Sequence, residues 1–66
     1  MKNTIKIQRA IKNLTQEELA NRIGVSRQTI NSIENNRYVP STVLALKISK
    51  VFDMSVNDIF KLEDED

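Results

Sequence analysis

The side chains best suited to recognition chemistry cluster in one short stretch, VSRQTINSIENN, residues 25–36. Val25, Ile30 and Ile33 recur there at helical spacing, and the other nine residues are polar. At about 100° per residue, Ile30 and Ile33 define one face of a helix. Gln28, Asn31, Ser32 and Asn35 fall on the opposite face, with Arg27 beside them near the start. An ordinary solvated face is built from Lys and Glu. This one is short and mostly neutral, and its amides and hydroxyls offer both donors and acceptors. Such a face is suited to reading hydrogen-bonding groups on another molecule.

Catalysis has little to work with. The 66 residues contain no His and no Cys, so there is no imidazole base, no thiolate nucleophile and no thiolate or imidazole zinc site. The single Gly stands alone and forms no phosphate-cradling loop. The carboxylates at 17/18 and 63–66 read as helix caps, helix-dipole partners and a solvated tail. A chain this short leaves little room for a concave pocket. The expectation is a non-enzyme with no cofactor, no metal and no small-molecule ligand. No apolar run approaches the roughly 18 residues of a membrane span, and MKNTIKIQRA lacks the apolar core of a signal peptide. A soluble cytoplasmic protein is expected.

Charge is unevenly placed along the chain. Residues 1–40 carry seven Lys/Arg against three Glu, a balance of +4; residues 41–66 carry three Lys against six Asp/Glu, a balance of −3. All four Arg, at 9, 22, 27 and 37, lie in the first part. One end is therefore suited to an anionic partner while the other stays clear of it.

These side chains must be held by a framework of short helices in one domain, residues 1–66. A first helix is expected over about 4–12, with Ile7, Ala10, Ile11 and Leu14 on one face and Asn13 as a left-handed exit. In LTQEELA, Thr15 and Glu18 form a capping box that starts a second helix, whose inner stripe is Leu19, Ala20 and Ile23. Gly24 ends it, and Ser26 caps a third helix running to about Asn35. Only GVS separates the two, so they must cross steeply, and Ala20 supplies the small side chain that such a crossing needs. NNRYVPS is a loop in which Asn36 is suited to left-handed geometry. Ser41 caps a fourth helix over about 42–52, with Leu44, Ile48, Val51 and Phe52 inward. Ser55 caps a short fifth helix bearing Val56, Ile59 and Phe60. A strand at 1–3 pairing with 61–63 completes the expectation, and EDED is read as frayed.

With these spacings in view, LTQEELANRIGVSRQTINSIENNRYVPS resembles the Cro/C1-type (Xre-like) helix-turn-helix family, and the resemblance continues through LALKISKVFDMSVNDIF. It covers about residues 4–60 and is nearest in style to short stand-alone regulators such as the cytolysin repressor type. The fold it implies is all-α: a five-helix bundle of the lambda-repressor-like kind, with the helix-turn-helix at 16–35. Asn13 and Asn36 stand where the family often has Gly. Gln8 stands where an apolar residue is frequent, and Ile11 where a polar one is.

The resemblance implies that the third helix lies in the major groove of double-stranded DNA, which admits one helix. On that basis Arg27, Gln28, Asn31 and Ser32 are expected to contact bases; Arg suits guanine, and Gln or Asn suits adenine. Gln16, Ser26, Thr29, Asn35, Asn36, Arg37 and Tyr38 are expected to contact phosphates. The family also implies an ion pair between Arg9 and Glu34 that holds the first helix to the third. The apolar side chains Val56, Ile59, Phe60 and Leu62, within region 51–62, are expected to form a homodimer interface, because two helices read more base pairs than one. The function expected is a transcriptional regulator that represses from an inverted repeat. The alternative is a helix-turn-helix adaptor or antitoxin acting through a protein partner.

Overall fold

A computed structural model describes residues 1–66. The chain folds as β1 (Lys2–Asn3), α1 (Ile5–Lys12), α2 (Gln16–Ile23), α3 (Arg27–Glu34), α4 (Thr42–Phe52), α5 (Val56–Ile59) and β2 (Phe60–Lys61). Local chemistry starts each of the three central helices. Thr15 Oγ1 accepts from the Glu18 N–H while Glu18 Oε1 accepts from the Thr15 N–H, each at 3.0 Å. Ser26 and Ser41 receive the Thr29 and Leu44 N–H groups, each at 3.2 Å. These contacts satisfy backbone donors that a helix start leaves free.

Left-handed residues turn the chain after four of the helices: Asn13 (φ 60°), Gly24 (φ 76°), Asn36 (φ 60°) and Asp53 (φ 53°). Gly24 adopts this geometry without strain. Asn and Asp tolerate it because short polar side chains bond locally. Asp53 adds a turn of the same kind that the sequence reading does not anticipate.

The twelve buried residues are all apolar. Leu19, Ala20 and Ile23 of α2 face Ile30 and Ile33 of α3, while Leu44, Ile48 and Phe52 of α4 and Ile59 and Phe60 complete the core. Ala20 is 1% exposed, which lets the two helices approach across a turn of three residues. The Val25 N–H donates to the Ala20 carbonyl at 3.0 Å and closes that turn. Val51 is only half-buried. No helix is long and apolar enough to cross a membrane.

Helix α1 packs on a different face from the one its apolar spacing suggests. Ile7 and Ile11 are 59% and 71% exposed, and Ala10 is exposed too. The inner face is instead Ile5, Gln8 and Arg9, followed by Leu14 just past the helix. Residues 7 and 11 lie well over 90° round the helix from 5 and 9, so both stripes cannot face inward. Two tethers select the 5/9 stripe. Strand pairing anchors Ile5 at one end, where the Thr4 N–H reaches the Ile59 carbonyl at 2.9 Å, and Arg9 bonds across to α3.

The two strands pair antiparallel with Lys2 opposite Lys61 and Asn3 opposite Phe60, one residue nearer the helix than expected. The tail is tied down rather than frayed. Asp66 Oδ1 accepts from the Met1 ammonium at 2.9 Å, Glu63 Oε1 lies 3.2 Å from the same group, and Asp66 Oδ2 accepts from the Glu63 N–H at 2.8 Å.

This packing corrects part of the expected dimer surface. Ile59 is fully buried and Phe60 is 6% exposed, both inside the protomer's own core. Helix α5 has a single turn, and its apolar residues fill the space left between α4 and the terminal strands. Of the four residues, only half-buried Val56 and Leu62, 83% exposed, remain accessible to a partner.

Candidate nucleic-acid interface

Burial of Ile30 and Ile33 rotates the polar side of α3 outward. Arg27, Gln28 and Asn35 are exposed there, and Asn31 and Ser32 are half-exposed. Gln28 and Ser32 line one concave notch together with Ser26, Thr29, Arg37 and Tyr38. Residues from the turn before α3, its outer face and the loop after it therefore share one surface. The loop is held against the helix by main-chain bonds: the Arg37 N–H donates to the Ser32 carbonyl at 2.9 Å, and the Asn36 N–H to the Ile33 carbonyl at 3.1 Å. Ser26 and Thr29 share one hydroxyl hydrogen bond, 3.0 Å long. One hydroxyl hydrogen of the pair thus stays free to donate outward.

Behind this surface runs a polar chain. Arg9 Nε lies 2.6 Å from Glu34 Oε2, Arg9 Nη2 donates to Glu34 Oε1 at 3.2 Å, and Arg9 Nη1 donates to the Leu14 carbonyl at 2.9 Å. Gln16 Nε2 donates to Glu34 Oε1 at 3.1 Å and to Asn31 Oδ1 at 3.4 Å. Asn35 Nδ2 donates to the carbonyl and to Oδ1 of Asn31, both at 2.9 Å. Every neighbour of Glu34 is a donor, so the carboxylate is satisfied although its side chain is only 6% exposed.

These bonds alter two of the expected phosphate contacts. Both amide hydrogens of Gln16 point inward, so its side chain offers solvent only Oε1, which accepts hydrogen bonds as phosphate oxygens do. The backbone N–H of Gln16, in the first turn of α2, is the group left for an anion there. Asn35 likewise turns its amide back along α3. Asn36, Arg37 and Tyr38 remain exposed.

One supporting residue escapes sequence reasoning. Asn3 Nδ2 donates to the Ile33 carbonyl at 2.9 Å and to Asn36 Oδ1 at 3.3 Å, while Asn3 Oδ1 accepts from the Ile5 N–H at 3.1 Å. It bolts the end of α3 to the terminal strand pair. Thirty positions separate Asn3 from Ile33, and no local pattern reports such a contact.

Comparison with known proteins agrees with this fold. The helix-turn-helix family matches residues 5–59. The chain is 54% identical over 66 residues to an uncharacterized HTH-type transcriptional regulator of Methanocaldococcus jannaschii, covering all of both chains. It is 51% identical over 65 residues to another such regulator, YgzD of Bacillus subtilis, covering 98% of each. Among solved structures it resembles the restriction-modification controller protein C.AhdI of Aeromonas hydrophila, with a TM-score of 0.77 and 28% identity over 85% of each chain.

Proposed function

Because the chain belongs to the helix-turn-helix family of Xre/Cro-C1 type, whose members are DNA-binding transcriptional regulators and not enzymes, we propose that it represses transcription by binding an inverted-repeat operator as a homodimer, with α3 in the major groove. One observation carries this reading. The outer face of α3 is a continuous run of hydrogen-bonding side chains that opens directly onto Arg37 and Tyr38. A helix in the groove presents such a face to base edges while the flanking loop meets the backbone of the duplex. Arg27, Gln28, Asn31 and Ser32 are the base readers. Ser26, Thr29, Asn36, Arg37, Tyr38 and the backbone N–H of Gln16 are the phosphate contacts.

Dimerisation is supported by apolar surface that begins in the loop after Tyr38 and continues along α4 and α5. Met1, Val39, Pro40, Ala45, Leu46 and Val56 line a shallow apolar groove closed by Phe60. Val39 and Leu46 are 63% and 54% exposed. A second copy would cover this patch, and the net negative C-terminal part beside it is suited to a position away from phosphates. Repression by occlusion requires only that the dimer occupy its site. Such a regulator would act in the cytoplasm, on the nucleoid.

Selection from random double-stranded DNA at two salt concentrations tests the proposal. An inverted repeat with half-site centres about 34 Å apart, bound more weakly at the higher salt, is the expected result. DNA binding no stronger than non-specific, with a stoichiometric protein partner recovered from cells, would replace it with the adaptor reading.

A further inference from the structure

The chain of amides behind α3 has a direction, and that direction reaches a base reader. Arg9 has only donors and Glu34 only acceptors. Their pairing on α1 and α3 obliges Gln16 to turn Nε2, not Oε1, toward Glu34. The second hydrogen of Nε2 then meets Asn31, which must present Oδ1 to it. Asn35 enforces the same orientation, because its Nδ2 is held by the Asn31 carbonyl and also reaches Oδ1. A carbonyl oxygen has two lone pairs. Both lone pairs of Asn31 Oδ1 are thereby engaged from inside the protein, while its Nδ2 donates to no group of the protein.

From this arrangement we propose that Asn31 reads DNA as a donor only, and so selects guanine rather than adenine. The inference rests on the placement of α3 in the major groove. A free Asn suits adenine because Nδ2 donates to N7 while Oδ1 accepts from the N6 amino group. Asn31 has no lone pair left for N6. Its two outward hydrogens match guanine, whose N7 and O6 are adjacent acceptors. Gln16 and Asn35 act as positioning residues: they touch no base, and they set which atoms of Asn31 face outward. The ion pair beneath them holds the sense of the whole relay.

The test uses the selected operator. The base pair facing Asn31 is the one whose preference flattens in Asn31→Ala. At that pair the unaltered protein is expected to prefer G·C over A·T by roughly tenfold. In the double variant Gln16→Ala/Asn35→Ala, Oδ1 is released and the ratio falls toward one, whatever happens to overall affinity. Asn31→Asp keeps the shape but offers only acceptors, and is expected to replace guanine by cytosine on the same strand. A preference for A·T in the unaltered protein overturns the proposal. So does a ratio unmoved in the double variant, or the absence of any flattened pair in Asn31→Ala; in these cases an operator is still selected and the regulator reading stands. Failure to select any operator removes that reading as well.

Discussion

Arg9 on α1 and Glu34 at the end of α3 are joined by two charge-assisted hydrogen bonds, the shorter 2.6 Å, with side chains only 14% and 6% exposed. The pair fastens the first helix to α3 and supplies the fixed point from which Gln16 and Asn31 are oriented. Removing one partner leaves the other charge poorly solvated. Arg9→Ala or Glu34→Ala is expected to cost about 3 kcal/mol in urea unfolding, a large part of a small domain's stability. The double variant should cost clearly less than the sum. Strict additivity would show that the two residues do not act as a pair.

Gln28 is exposed on the polar face of α3 and lines the notch there. Gln28→Ala should weaken binding to the selected operator by about 1–3 kcal/mol and relax preference at one base pair, leaving random DNA bound as before. Fluorescence anisotropy on the two DNAs measures this. An equal loss on both would place Gln28 outside base readout.

Arg37 is exposed in the loop after α3, beside the notch that Gln28 and Ser32 line. In the proposed role of phosphate contact it would contribute through counterion release. Arg37→Ala should weaken operator and random DNA alike and lower the slope of log affinity against log salt by about one. A variant that changes base preference but leaves the slope unchanged contradicts this role.

The capping box makes α2 sensitive to acid. Hydrogen bonds from the Thr15 backbone N–H first, then from its side chain, hold the Glu18 carboxyl below its usual 4.5. A carboxyl depressed in the folded state stabilises the fold above its unfolded-state pKa, and that stabilisation is lost as pH falls through the lower folded value. Urea midpoints for the unaltered protein should therefore fall as pH is taken from 6 to below about 4. In Glu18→Gln this component of the fall should be absent. Identical pH profiles for the two proteins would rule out the box as its source.

Leu46 is 54% exposed in the apolar groove that also includes Val39, Pro40 and Val56. Leu46→Glu should leave the monomer's helical circular dichroism intact while shifting sedimentation from dimer to monomer at micromolar concentration. A monomer before and after the substitution would refute the homodimer.

Much of this molecule was legible because its signals are local. Thr15 with Glu18, Ser26, Ser41, Gly24, Asn13 and Asn36 each act on backbone groups within a few residues, so they report helix starts and turns directly. The outward face of α3 follows from only two buried isoleucines. The buried face of α1 is not legible in the same way, because its apolar stripe at 7, 10 and 11 is strong, while the tethers that turn it away, at Ile5 and Arg9, depend on partners far along the chain. At the C-terminal end, hydrophobicity alone does not distinguish a protomer's core, where Ile59 and Phe60 lie, from a surface open to a partner, where Val56 and Leu62 lie.

By itself, the sequence determined the helix order, the tight turn at residues 24–26 and the polar face of α3, since each depends on residue type and short-range spacing. Tertiary structure alone decided which stripe of α1 is buried, that Ile59 and Phe60 belong inside, that Asn3 reaches the end of α3, and which way the amides of Gln16 and Asn31 point. The physical reason is the same in each case. An amide can bond in either orientation and a helix can roll to bury either stripe until distant groups are brought within about 3 Å, and only the closed fold does that.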